Sequence, residues 1–296
     1  MDMQKFLTGI ESANADERFA AWRAAGEVSP SAIPQLGKLA ASDKPGIAKA
    51  ALEALTTMTH SVGKDTKSVN RIEVVRGLLG LSSPAYALPV RTHAFRLLSN
   101  IAVENSVPAI AKEIQNADLR EEVVYCLERI PGDAATQALI SAYIGASDGF
   151  KPRILAALGH RRALSAVTLC NEAMRSANKE IAIAGAKAIA RIGPATGAAP
   201  AFPSEAGLSE WQKTERVDSM LRYADEQAKA GNVGAALNLY RSALDLPQEH
   251  FQCAAIIGIG KIPTPDAAAL IMSRLKSPIR NVRITARNTW KNIATA

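Results

Sequence analysis

The chain has 296 residues, 48% of them hydrophobic and only 5% aromatic, with a formal net charge of +7. That length holds one large domain or two ordinary ones, and an alanine-rich apolar fraction with few aromatics favours packed helices over a β-sandwich. Six cations and no acid fall between residues 267 and 296, so the excess charge is local and a uniformly basic surface is excluded.

The opening stretch MDMQKFLTGIESANADE has no basic region followed by an apolar run, so no signal peptide is expected. No apolar run approaches the ~18 residues of a membrane span. Cys126, Cys170 and Cys253 lie far apart, without metal-ligand or redox spacing. They read as small core residues of a cytoplasmic protein.

In chain order, NADERFAAWRAAGEV (14–28) predicts a helix that closes on Val28, followed by a partner at SAIPQLGKLAA (31–41). AKAALEALTTM (48–58) closes on Met58, and the polar THSVGKDTKSVN (59–70) predicts an extended loop. VRTHAFRLLSNI (90–101), NADLREEVVYCLERI (116–130), GFKPRILAAL (149–158) and AIAGAKAIARI (182–192) repeat the closing pattern at Ile101, Ile130, Leu158 and Ile192. Partners follow or intervene at SVPAIAKEIQNA (106–117), DAATQALISAYIGA (133–146) and ALSAVTLCNEAMRSA (163–177). GPATGAAPAFPSEAG (193–207) predicts a linker. QCAAIIGIGKI (252–262), PDAAALIMSRLKS (265–277) and NVRITARNTWKNI (281–293) complete the series.

The copies share a frame. Three residues before each close stands Ala25, Leu55, Leu98, Leu127, Leu155, Ile189, Ile259 or Trp290, and seven before it is often Ala or Gly, as at Ala21, Ala51, Ala94, Gly185, Ala255 and Ala286. Steps of three, four and seven mark one helix face, and a small residue in its middle lets a neighbouring helix approach closely. Trp22 and Trp290 fall in this inward frame and read as core. The implied architecture is all-α: a right-handed α-solenoid of about eight helical hairpins, interrupted by a linker and an extra hairpin.

Val282-Arg283 with Ala286, Trp290 and Ile293, and Val90-Arg91 with Ala94, Leu98 and Ile101, resemble HEAT repeats in their short bacterial, phycobilisome-lyase-like form. The organisation read from the sequence is a HEAT-like array over 1–193, a Gly/Pro/Ala-rich linker over 194–207, a helical hairpin over 208–247 and C-terminal HEAT-like repeats over 248–296. In the hairpin Ala224, Gly231, Ala236, Tyr240 and Ala243 are similar to a tetratricopeptide frame, though its tryptophan is not in place. The alternative is that GAALNLYRSALDL (234–246) forms the first helix of the next HEAT unit.

The HEAT resemblance implies that the recurrent arginine, here Arg18, Arg91, Arg120 and Arg283, is a structural ladder residue pairing with an acid or carbonyl; Asp16 and Asp118 stand nearby as candidate acids. It also implies a concave surface lined by second helices that grips a protein or peptide. The residues just before each close, Asn100, Arg129, Arg191, Lys261 and Asn292, are the candidate partner contacts. Arg280, Arg287 and Lys291, which other copies do not reproduce, form a candidate stripe for an acidic partner or nucleic acid.

No catalytic constellation is found, so no enzyme, cofactor or metal is expected. His60, His93, His160 and His250 fall in different repeats, without the His-Glu pairs of iron-binding HEAT hydroxylases. GIGKIP (258–263) resembles part of a phosphate loop, but its glycines lie in a helical frame. The expected function is a non-catalytic scaffold for protein–protein interaction. The alternatives are nucleic-acid or phosphate binding through the C-terminal repeat and, third, a lyase or DNA glycosylase. Oligomeric state is not readable from the sequence.

Overall fold

The computed structural model describes residues 2–63, 69–194 and 200–294, with the last two as backbone alone. Among them are seventeen α-helices, several short 3-10 turns and no strand. They form two compact units, Met1–Ala146 and Ser147–Ala296. The expected loop over 59–70 and linker over 194–207 lie partly outside the described residues, at 64–68 and 195–199.

The first unit contains α1 (Met3–Glu11), α2 (Ala15–Arg23), α3 (Ile33–Leu39), α4 (Pro45–Ser61), α5 (Val69–Leu81), α6 (Leu88–Ile101), α7 (Val107–Ala111), α8 (Arg120–Arg129) and α9 (Asp133–Gly145). The second helices α2, α4, α6 and α8 pack side by side, and α1, α3, α5 and α7 pair with them as first helices. The helix predicted to run to Val28 ends at Arg23, and a 3-10 turn at Ala25–Glu27 carries Ala25 and Val28 into the core all the same. Helix α5 occupies part of the 43-residue gap between Met58 and Ile101 and supplies the partner that the sequence pattern did not reveal.

The second unit contains α10 (Lys151–His160), α11 (Val167–Met174), α12 (Lys179–Ile192), α13 (Glu210–Lys229), α14 (Val233–Leu244), α15 (Glu249–Ile259), α16 (Pro265–Arg274) and α17 (Arg280–Ala294). Here α10, α12, α13, α15 and α17 follow one another as neighbours. Helix α14 packs against both α13 and α15. Its Tyr240 ring is buried, its hydroxyl donates to Asp225 Oδ1 of α13 at 2.8 Å, and it lies over Gly258 of α15. Helix α14 thus closes a hairpin with α13 and packs as the preceding partner of α15.

The frame is the core. Val28, Met58, Ile101, Ile130, Leu158, Ile192 and Ile262 are all buried, as are the residues three before them from Ala25 to Ile259. The side chain of Ile293, the eighth close, lies outside the described residues. The small residues do what their size permits. A Cβ on Gly185 would come within 2.9 Å of the Cys170 carbonyl and 3.0 Å of the Met174 nitrogen, so α12 rests directly on the backbone of α11. Trp22 and Trp290 are half-buried rather than fully internal.

Helix starts explain the recurring Asn-Ala-Asp. Asn14 Oδ1 accepts from the Asp16 backbone N–H at 2.8 Å, and Asn116 Oδ1 from that of Asp118 at 3.1 Å. Asn178 does the same for Glu180 at 3.0 Å. Each satisfies a backbone donor otherwise left open at a helix entrance. A full capping box between Ser209 and Gln212 opens α13.

Candidate functional site

The ladder arginines clasp backbone. Arg18 Nη1 donates to the Ser12 and Ala13 carbonyls at 2.7 and 2.9 Å. Arg283 Nη1 donates to Ser277 and Pro278 at 2.5 and 3.4 Å, the same five- and six-residue offsets. Both fasten a second helix to the turn that precedes it. The partner of Arg18 is thus carbonyl oxygen and not the carboxylate of Asp16. Arg91 combines the two modes, with Nε donating to Ser82 O and Nη2 to Glu113 Oε2, each at 2.9 Å. Arg120 is half-buried at the first position of α8.

The residues one before each close lie along the second-helix rows. In the first unit Arg129 of α8 reaches back to α6, with Nε donating to Ser99 O at 3.3 Å and Nη2 to Asn100 Oδ1 at 3.4 Å. Two candidate contacts are therefore brought together. In the second unit Lys261 pairs with Asp225 at 3.4 Å. Arg191 lines a small cleft of about 170 Å³ with Lys187, Glu215, Asp218 and Arg222. Asn292 is exposed on α17.

Four residues before each of these, on the same face, lies a position the sequence reading passed over. It holds Arg23, Glu53, Arg96, Tyr125, Arg153, Lys187, Ile257 and Asn288. Here the rows are most distinctive. Arg23 sits 5.5 Å over the ring of Phe19, Arg129 sits 5.6 Å over Tyr125, and Lys187 sits 5.9 Å over Trp211. The rings are exposed by 49, 40 and 56%, and Ile257 by 54%. The signal was present as an aromatic or a long cation in the i, i+4 register, but exposure cannot be read from residue type.

Ion pairs fix the charges between neighbouring helices. Arg96 of α6 pairs with Glu122 of α8 at 2.7 Å, and that carboxylate holds the guanidinium protonated still more firmly. Lys187 of α12 pairs with Glu215 of α13. His93 of α6 faces the Leu52 carbonyl and the Thr56 hydroxyl of α4 at 3.3 and 3.2 Å. Burial lowers its pKa, and the hydrogen bond to Leu52 opposes the shift. Among the described residues no group of three His, Cys, Asp or Glu side chains is placed to hold a metal ion. No helix among them is long and apolar enough to cross a membrane.

At the other end of the second unit, Arg280, Arg287 and Lys291 are all exposed on α17. They share a face with Ile284, which the sequence reading did not include. Arg283 points to the carbonyls named above and is not part of that face.

Stacked helical hairpins with their second helices in rows define a helical-repeat protein. The chain is similar to human deoxyhypusine hydroxylase in complex with glycerol, at 12% identity over 92% of this chain and 99% of that one, with a TM-score of 0.36. It is similar to yeast importin-beta at 12% identity over 99% of this chain but only 47% of the other, with a TM-score of 0.44. A designed armadillo repeat protein in complex with the peptide (KR)4 is similar at 16% identity, over 88% of this chain and 99% of that one, with a TM-score of 0.29. No protein-family model and no curated protein matches the sequence.

Proposed function

We propose that this chain is a non-catalytic, cytoplasmic scaffold that binds protein or peptide partners through the second-helix rows of its units. The observation that carries this reading is the set of three exposed aromatic rings, each with a cation over its face: Phe19 and Tyr125 on the second helices α2 and α8, and Trp211 on α13 beside α12. Aromatic and arginine side chains dominate the energetics of protein interfaces. A ring already held by its cation loses little freedom on binding. The rows also mix signs, with Glu53, Glu122, Glu215 and Asp218 among the cations, which suits a protein surface better than a polyanion.

The non-catalytic part rests on how the titratable groups are used. Arg96, Glu122, Lys187 and Glu215 are spent on ties between helices. The cytoplasmic part rests on Cys126 and Cys170, free thiols buried within helices.

Proximity labelling and pull-down with wild-type protein, compared with a Phe19→Ala/Tyr125→Ala/Trp211→Ala variant, tests the proposal. The expected result is a protein partner enriched by the wild type and lost from the variant, with far-UV circular dichroism unchanged. Equal recovery by both, or recovery of nucleic acid in place of protein, would overturn it.

A further inference from the structure

Helix α17 carries a second surface, apart from the aromatic positions of the rows. Arg280, Ile284, Arg287 and Lys291 recur at steps of four, three and four, so they share one helix face. All four are exposed. Beside that face lies an open cleft of about 450 Å³ whose walls include Leu275, Lys276, Ile284, Arg287, Trp290 and Lys291. Its floor is apolar: Leu275 and Trp290 are half-buried and pack on the core of the unit. Its rim is cationic. Among the described residues neither Arg280 nor Arg287 has a carboxylate partner, while Arg274 of the same hairpin pairs with Asp245 at 3.1 Å. No acid follows Asp266 in the sequence.

A merely solvated cap has no need of an apolar cleft beneath its charges. The geometry points to a docking site for an acidic protein segment that places an apolar side chain over Leu275, Ile284 and Trp290 and its carboxylates against Lys276, Arg287 and Lys291. Charge complementarity selects the sign of the partner, and the floor selects its kind. A phosphate polymer has nothing to set against Leu275 and Ile284, and Trp290 is engaged with the core instead of standing free as a stacking platform. A second copy meeting this face symmetrically brings like charges together. The site borders the row of its unit at Asn288 but includes none of the three aromatic rings that carry the function proposed for the rows.

Fluorescence anisotropy with a dye-labelled synthetic amphipathic peptide, glutamate on one face and leucine on the other, tests the assignment. The controls are a peptide with lysine for glutamate and a single-stranded oligothymidylate. Sedimentation of the protein alone is measured alongside. The Glu/Leu peptide is expected to bind, to weaken as salt is added, and to lose at least about tenfold in affinity with either Arg287→Glu/Lys291→Glu or Ile284→Asp. The Phe19→Ala/Tyr125→Ala/Trp211→Ala variant is expected to bind it as wild type does. The assignment is overturned by no binding, by equal binding of the Lys/Leu peptide, by preferential binding of the oligothymidylate, or by unaltered affinity in both α17 variants. Self-association abolished by Arg287→Glu/Lys291→Glu would assign the face to a second copy instead.

Discussion

Arg91 and Arg96 lie on one helix and each pairs with a glutamate, yet removing them should have very different consequences. The Arg91 side chain is 12% exposed and its partner Glu113 is 23% exposed. Its second donor satisfies the carbonyl of Ser82, a buried residue just past the end of α5. Arg91→Met keeps the packed stem but removes two charge-assisted bonds, each worth about 1.5–3 kcal/mol. Glu113 retains a bond from Asn116 Nδ2 at 3.3 Å, which offsets part of the loss. A net cost of about 3 kcal/mol follows. Arg96 is 62% exposed, so Arg96→Met should cost about 0.2–1 kcal/mol despite its shorter 2.7 Å pair. Urea unfolding followed by circular dichroism reads both as midpoint shifts at constant slope. In a thermal scan the Arg91 variant should melt about 6–12 °C lower. Arg91→Lys, which cannot reach both acceptors, should fall between wild type and Arg91→Met. Equal shifts for the Met variants, or a loss below about 1 kcal/mol for Arg91→Met, would refute the reasoning that burial and the second acceptor decide the value.

Burial holds the His93 imidazole neutral below its ordinary pKa of 6.5, and the nearby Arg96 charge works in the same direction. A lowered folded-state value contributes stability that is present above pH 6.5 and lost as pH falls through the folded value. Wild type should therefore lose more stability than His93→Gln between neutral and mildly acidic pH; parallel pH curves would exclude the effect. Gly258→Ala would set a Cβ 2.5 Å from the buried Tyr240 ring, so it should destabilise by about 1–3 kcal/mol in spite of alanine's better helix propensity. A gain in melting temperature would contradict that packing. Burial pushes the Cys126 and Cys170 thiols up to about 12. At pH 8 iodoacetamide should modify the half-buried Cys253 first, and mass spectrometry showing early labelling of Cys126 would count against it.

The core was legible because its signal is redundant. A small residue seven before a large apolar one, repeated down the chain, has few explanations other than helices that cross closely, and the buried side chains from Ala21 to Ala286 follow it. Helix α5 escaped notice for a physical reason. Its inward stripe of Arg71, Val74, Val75, Leu78 and Leu81 begins with an arginine, a residue ordinarily assigned to solvent. Arg71 is buried because its donors reach the Ile101 and Gly63 carbonyls at 3.1 and 2.8 Å, and carbonyls leave no mark in a sequence. The same blindness affected Arg18, whose acceptors are backbone oxygens and not the visible Asp16. On the surface the sequence reading named residues at or just past the last turn of each helix. The aromatic–cation pairs lie mostly a turn earlier, where composition cannot separate an exposed Phe19 from a core Phe95.

The matching clasps of Arg18 and Arg283 bear on how such a chain can change length. Each arginine and both of its acceptors lie within seven consecutive residues, 12–18 and 277–283. The angle at which a second helix leaves its turn is thus set by a segment that travels whole when a stretch of gene is copied or excised. A hairpin added to or trimmed from this chain would bring its own hinge stiffness with it, leaving only the apolar faces to be matched to new neighbours.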